Sequence, residues 1–313
     1  LDANWIYGSE IAKQAFSGYV AEVLIYYYGT FYEVIKALAK ANKNQAVLDA
    51  IAKPWEAKPW FKYYPIFLTE KRVNKGVEFW NKHKDTLARA EKEFGVPAEI
   101  IISILGVESY FGTYKGKYPV LDSLYTLGFY YPKRSKFFKQ ELGEYLKLSY
   151  DQNFNVEEVK GSYAGAMGWS QFISSSYRHY AVDFDGDDKV DLINNVEDAI
   201  GSVANYFKMH KWQTGEQVVV KAKVNQKPAA KLLSKNLKPK QTVAGLAKQN
   251  ISPITNLPGD EKVKLLALEV EGGHDYWLGL HNFYVITRYN HSPLYAMAVY
   301  QLSQQIKEKY HGS

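Results

Sequence analysis

GVPAEIIISILGVESYFG, residues 95–112, is the most decisive stretch of the chain. Gly95 suits the end of one helix and Pro97 the first turn of the next, because proline presets the helical φ and lacks only an N–H that has no partner there. Ile100, Ile101, Ile102, Ile104, Leu105 and Val107 then fill more than one face, which predicts a helix inside the protein rather than on its surface. Near its end stands Glu108, bracketed by Gly106 and Gly112, where small residues let another segment or a ligand approach the backbone. A carboxyl group in so apolar a setting either finds a partner or has its pKa driven upward, which is what a general acid needs at neutral pH. Glu108 is therefore the candidate catalytic residue, and the competing reading is a partly exposed glutamate at a frayed helix end.

Outward from this helix the periodicity stays helical. Val73 to Glu93 leads into it, and Lys136–Ser149 and Val196–Lys208 follow, giving a mostly α core from about Val73 to Trp212. Upstream, Ser9 to Ile51 reads as helices broken at Gly18, Gly29 and Asn42–Asn44, while the Pro- and Trp-rich stretch Lys53–Pro65 predicts a wrapping segment without regular structure. After Trp212 the period falls to two. Val218, Val220, Ala222 and Val224 alternate, Asn225–Pro228 makes a turn, Lys262–Val270 and Phe283–Thr287 read as strands, and Thr242–Gln249 as a short helix. Ser292 as N-cap and Pro293 at N1 open a last helix running to about Lys309. The fold class is mainly α. Its expected parts are an N-terminal α region, 1–72, with the helix of 292–313 packing back on it, a core, 73–214, a small basic β lobe, 215–272, and a return segment, 273–313.

Composition narrows the classes further. A chain of 313 residues suggests about two domains. With Tyr 26, Phe 15 and Trp 7, aromatics make up 15 % of it, a supply of flat apolar faces that stack on sugar rings and of hydroxyls that bond to them. The absence of cysteine excludes disulfides and thiolate metal sites. No apolar run reaches the roughly 18–20 residues of a membrane-spanning helix, and a start at Leu1 without a signal peptide reads as a processed or truncated form. The net charge of +6 is concentrated. Between Gln217 and Gly259 there are eight lysines and no acidic residue, and without them the chain has 31 basic and 33 acidic residues. That lobe is either a solvated lysine surface or a contact for an anionic polymer or membrane surface. Nucleic acid is disfavoured, because the stretch has no arginines or interleaved aromatics.

A second motif is DFDGDDKVD, Asp183–Asp191. Oxygen ligands at alternate positions of a tight loop suit a hard cation such as Ca²⁺, since successive carboxylates can then point inward. The loop departs from the common pattern twice, with Asp188 in place of the usual glycine and Asn194 in place of the closing glutamate. A structural role is expected for the ion rather than a regulatory one, because a lone loop has no paired partner and no Met-rich groove follows it.

Four blocks resemble the lytic transglycosylases of the membrane-bound B type: GVPAEIIISILGVESYFG, GSYAGAMGWSQFISSSYRHYAVDFDGD at 161–187, DAIGSVANYF at 198–207 and ITRYNHSPLYAMAVYQL at 286–302. The resemblance runs in order from about Trp60 to Gln301. It implies a lysozyme-like core flanked by an α domain and a small β domain. It also implies cleavage of the peptidoglycan bond between N-acetylmuramic acid and N-acetylglucosamine without water, one glutamate acting as acid and then as base, and no organic cofactor. By the same resemblance Ser162, Met167 and Gln171 line the cleft, and Tyr63, Tyr206, Tyr289, Asn290 and Tyr295 bind sugar. Lys133 and Arg134 would meet substrate carboxylates, although Lys133 stands where the family commonly has arginine and cannot bind in a bidentate way. The metal would be held by Asp183, Asp185 and Asp187, by the Lys189 carbonyl and by Asp198, with Glu197 beside Asp198 keeping that last choice open.

The implied setting is the bacterial periplasm or envelope, with the enzyme soluble or lipid-anchored, monomeric, and acting on peptidoglycan glycan strands. Glycosidases that use two carboxylates need a second one opposite the acid. Asp122 is the nearest downstream candidate, and it reads better as the N-cap of the LDSLYTL helix. A hydrolytic muramidase, an inactive peptidoglycan-binding scaffold and a Ca²⁺-binding interaction protein are the alternatives.

Overall fold

In the computed structural model, which describes residues 25–26, 36, 38–52 and 58–312, the helices follow the apolar periodicity closely. Most of the expectation for Ser9 to Ile51 lies outside the described residues; within them helix α1 spans Gln45–Ile51. The stretch expected to be irregular instead carries helix α2 (Trp60–Tyr63), continued by a 3₁₀ turn over Tyr64–Ile66, because Pro59 occupies the N-cap and Trp60 and Tyr63 are both buried. Helix α3 (Glu70–Lys82) starts at Thr69, whose hydroxyl accepts from Arg72 N at 3.2 Å. After a break at His83 comes α4 (Lys84–Phe94), which ends on Gly95 at φ 73°. Next are α5 (Ala98–Ser109), α6 (Val120–Tyr130), α7 (Ser135–Asp151), α8 (Ser174–Tyr180) and α9 (Val196–Met209). Strands β1 (Tyr118–Pro119) and β2 (Lys160–Gly161) form a small antiparallel pair.

Downstream lie β3 (Val219–Val224), β4 (Gln241–Thr242), α10 (Val243–Ala247), β5 (Ile251–Pro253), β6 (Lys262–Val270) and β7 (Gly273–Gly279). The chain continues as α11 (His281–Tyr289) and α12 (Pro293–Gly312). It divides into two units, Leu1–Pro54 with Glu108–Ser202, and Trp55–Val107 with Val203–Ser313, the boundaries falling inside α5 and α9.

In the first unit the core is built from α6 and α7. Leu121, Leu124 and Leu127 of one and Phe138, Leu142 and Leu146 of the other are at most 1 % exposed. Each such side chain stabilises the fold by about 1.5–3 kcal/mol relative to an exposed one. Tyr145 is buried among them with its hydroxyl donating to Val156 O at 2.8 Å. Asp122 is not the N-cap, since α6 already begins at Val120 behind Pro119. Its carboxylate accepts from Asn42 N at 2.7 Å, while Thr126 Oγ1 accepts from Asn44 N at 2.8 Å, so α6 holds the segment that enters α1.

In the second unit α12 packs on α3, with Trp80 stacked on Tyr310 at 4.2 Å and 7°. Lys307 donates to Glu99 at 2.7 Å, and this contact raises the Lys307 pKa. Ser292 caps α12 as expected, its hydroxyl accepting from Tyr295 N at 3.3 Å. The five-stranded sheet has the order β4-β6-β7-β3-β5 and every pairing is antiparallel. One of its faces is closed by Val220, Leu246, Ile251, Val263, Leu265 and Leu278. The sheet runs past the expected limit of 272, because β6 folds back through Glu271 and Gly272 into β7, with Val270 opposite Gly273.

Phe283–Thr287 is helix, not strand. Its β-branched residues favour extended structure only weakly, and burial of Phe283, Val285, Ile286 and Thr287 outweighs that preference. The buried Asn282 fixes the start of this helix, accepting from Gln213 N at 2.9 Å and donating to Gln213 O at 2.8 Å and Glu216 O at 3.1 Å.

Candidate active site and metal centre

Helix α5 is surrounded by protein: Ile101, Ile102, Ile104 and Leu105 are fully buried, and Ser103 turns its hydroxyl back to Ile100 O at 2.9 Å. This rigid element brings Glu108 into its last turn, where the side chain is partly exposed. The backbone then turns sharply. Tyr110, Phe111 and Gly112 follow one another at φ 50°, 55° and 75°. For the two non-glycine residues the left-handed region costs about 1–2 kcal/mol each. Ser109 secures the turn, donating to Trp169 O at 2.7 Å and accepting from Gly112 N at 3.0 Å. Trp169 also lies over Gly112 so closely that a Cβ there would meet ring carbons at 2.4 Å. Gly112→Ala is therefore expected to destabilise the protein by about 1–3 kcal/mol, the range for overpacking. Chemical denaturation checks this, and a variant as stable as the parent would show that the turn has slack.

The segment expected to line the cleft is organised by its own backbone. Ser162 Oγ accepts from Ala164 N at 3.2 Å and Ala166 N at 3.1 Å, and Met167 N donates to Phe172 O at 2.9 Å. The glycines here admit the protein's own chain. A Cβ on Gly165 would meet Leu124 at 2.5 Å, and one on Gly168 would meet Leu192 O at 2.1 Å. Met167, expected to line the cleft, is fully buried. Gln171, half-buried at φ 50°, donates both amide hydrogens, to Gly168 O at 2.9 Å and Lys115 O at 3.2 Å. Lys133 and Arg134 are exposed just before α7, with the Arg134 guanidinium 4.2 Å from the Phe137 ring.

In the second unit Tyr206, Tyr289 and Tyr295 form one aromatic cluster. Tyr289 lies 4.8 Å from Tyr206 and 6.5 Å from Tyr295, nearly parallel to the latter at 13°. Tyr206 and Tyr295 are only 6 % and 3 % exposed, and the Tyr206 hydroxyl donates to Arg288 O at 2.6 Å. Tyr289, half-buried, is the member with a surface to offer, and Asn290 follows it in extended backbone. Tyr63 is buried against Trp60 and Phe67.

The acidic loop gathers three carboxylates. Oxygens of Asp183, Asp185 and Asp198 lie within 4.8 Å of one another. Asp198 is the expected closing residue and is fully buried, accepting from Phe184 N and Asp191 N at 2.7 Å each. Burial raises its pKa, the two backbone donors oppose that, and Asp185 and Asp183 push it up further. Asp185 is held low chiefly by Asn195, whose amide donates to it at 2.8 Å. Asp187 turns to Lys189 N at 2.9 Å and stands outside the group of three, and Asn194 donates to Asp191 at 3.1 Å.

A hard cation with oxygen ligands at about 2.3–2.6 Å spans such a cluster, so the residues fit Ca²⁺. Two supports were not legible beforehand. Tyr177 buries a hydroxyl that donates to Val190 O at 2.9 Å and accepts from Leu192 N at 2.8 Å, and burial raises its pKa. Asn195 caps α9 by accepting from Glu197 N at 2.9 Å and from Asp198 N at 3.3 Å.

Residues 29–304 match the family described as Transglycosylase SLT domain. The chain is 43 % identical over 281 residues to membrane-bound lytic murein transglycosylase B of Escherichia coli strain K12, covering 88 % of this chain and 76 % of that protein. The crystal structure of soluble lytic transglycosylase SltB1 from Pseudomonas aeruginosa is similar with a TM-score of 0.86 at 46 % identity, over 94 % of this chain and 99 % of that one. The structure of Escherichia coli lytic transglycosylase Slt35 in complex with calcium is similar with a TM-score of 0.85 at 40 % identity, over 95 % and 94 %.

Proposed function

This chain belongs to the transglycosylase SLT domain family, and as a lytic transglycosylase of lysozyme-like fold that cleaves peptidoglycan it gives the premise from which we propose its mechanism. Glu108 protonates the glycosidic oxygen as the bond from the muramyl C1 breaks, and N-acetylglucosamine leaves with a free hydroxyl. The Glu108 carboxylate then takes the proton of the muramyl C6 hydroxyl while that oxygen bonds to C1, closing a 1,6-anhydro ring and restoring the acid. The observation that supports this reading is the setting of Glu108, on the last turn of a buried helix with its neighbour Ser109 fixed to Trp169. Asp122, the nearest downstream carboxylate, is occupied by Asn42 N at 2.7 Å, which favours a single catalytic glutamate.

Gln171 offers a carbonyl oxygen to the glycan, Tyr289 an aromatic surface and Asn290 an amide, while Ser162 shapes the segment that carries Gln171. The exposed Lys133 and Arg134 suit carboxylates of the peptide stem or lactyl group. Asp183, Asp185 and Asp198 would hold Ca²⁺, with Asp187 and the Lys189 carbonyl as further ligands, and the ion would supply structural stability rather than chemistry. The enzyme works in the periplasm or envelope, soluble or lipid-anchored. No helix among the described residues is long and apolar enough to cross a membrane. The lysines of 217–259 suit an anionic envelope polymer or membrane surface.

Digestion of purified cell wall in ¹⁸O-labelled water tests the reaction. The expected muramyl product is lighter by one water than the hydrolytic one and carries no label at its former reducing end. Label at that position would make the enzyme a hydrolase.

A further inference from the structure

The second unit also holds a cavity of about 450 Å³ walled by β6, by residues 233–237 and by the turn 291–294, a size in the range of about 300–1,000 Å³ usual for small-molecule sites. The wall is mostly apolar, with Leu237, Leu266, Leu268 and Leu294 among its residues. One charge is built into it. Lys264 lines the cavity and is only 4 % exposed, and burial lowers its pKa.

The Lys264 ammonium donates to Ser234 O at 2.7 Å and, at longer range, to Ser234 Oγ at 3.2 Å and Leu232 O at 3.4 Å. All three acceptors are neutral, and no carboxylate among the described residues pairs with it. Lys147, similarly buried at 8 % exposed, shows the usual arrangement, an ion pair with Glu144 at 2.8 Å. A buried cation without a counter-charge is destabilising, so stability alone does not account for Lys264. Nor is the ammonium locked in place. Gln241 Nε2 also donates to Leu232 O, at 2.9 Å, so Lys264 can turn from that carbonyl without leaving it unsatisfied.

We propose that this cavity binds a small apolar molecule ending in a carboxylate, its body against the leucines and its carboxylate the missing counter-charge of Lys264. The exposed Lys235, which also lines the cavity, adds to the attraction for an anion. A fatty acid and the C-terminus of a short apolar peptide share this chemistry.

The full chain is titrated with octanoate, N-acetyl-D-alanyl-D-alanine, octan-1-ol and octylamine, by calorimetry and by the NMR pKa of the Lys264 ammonium. At least one carboxylate is expected to bind about ten-fold or more tighter than octanol and octylamine, the factor that one charge-assisted hydrogen bond supplies. Saturation with it raises the Lys264 pKa, and Lys264→Met loses the preference. Octanoate alone assigns the site to acyl chains, and the dipeptide alone to peptide ends. If Lys264→Met does not fold, the pKa change in the parent protein decides. Failure of both carboxylates to bind, equal binding of octylamine, or an unmoved Lys264 pKa overturns the proposal.

Discussion

Glu108→Gln is expected to leave the protein folded and to remove nearly all turnover of cell-wall glycan. Glutamine has almost the shape of glutamate and can neither give nor take a proton. General acid–base catalysis contributes about 10²- to 10⁴-fold, and where one group serves both steps the loss should reach the top of that range or pass it. The substitution leaves in place the apolar burial that holds α5 and the Ser109 bond that holds the turn after it. An unchanged melting temperature with lost turnover is the expected pair of results. Near-normal turnover of the folded variant would remove Glu108 from its role.

Asp198→Ala should be the most damaging change in the acidic loop. It strands the buried donor Phe184 N and the partly buried donor Asp191 N, which now give bonds of 2.7 Å to this carboxylate. Each stranded donor costs about 1–3 kcal/mol, and relief of the buried charge offsets part of the sum. The same change removes the buried member of the carboxylate cluster, so the variant should also lose its response to Ca²⁺. In the parent, an ion at about 100 times its Kd adds about 2.7 kcal/mol. Melting curves with Ca²⁺ and with chelator decide this. A parent indifferent to both would exclude the metal site, and a variant that still responds would exclude Asp198 from it.

Much of this architecture is legible in the sequence because it rests on local signals. The isoleucine run and Pro97 specify α5, Ser292 and Pro293 specify the start of α12, and the strand expected over Lys262–Val270 corresponds to β6 residue for residue. Where local preference and tertiary packing disagree, the reading goes astray. The β-branched run of α11 looks extended until its burial is known. The helical turn at Trp60–Tyr63 is hidden by the prolines around it, and β7 mixes His274, Asp275 and Trp277 in a pattern with no clean alternation.

The site divides in the same way. The carboxylates of the acidic loop can be read from spacing, since all but Asp198 lie within one short segment. Exposure cannot be read in this way. Nothing adjacent to Met167 or Tyr206 in the sequence says that the first is enclosed, or that the hydroxyl of the second is held by Arg288 O. The clamp of Ser109 on Trp169 joins positions sixty residues apart, a distance over which no motif extends.

Leu192 ties the two ends of the first unit's chemistry together. At the end of the acidic loop its N–H donates to the Tyr177 hydroxyl of α8, its carbonyl accepts from Trp169 N at 2.9 Å and lies against Gly168, and the Trp169 carbonyl holds Ser109 beside Glu108. A substitution that reshapes residues 190–194 therefore reaches the seat of Glu108 through a few bonded atoms, and is expected to be felt there even without a change in α5.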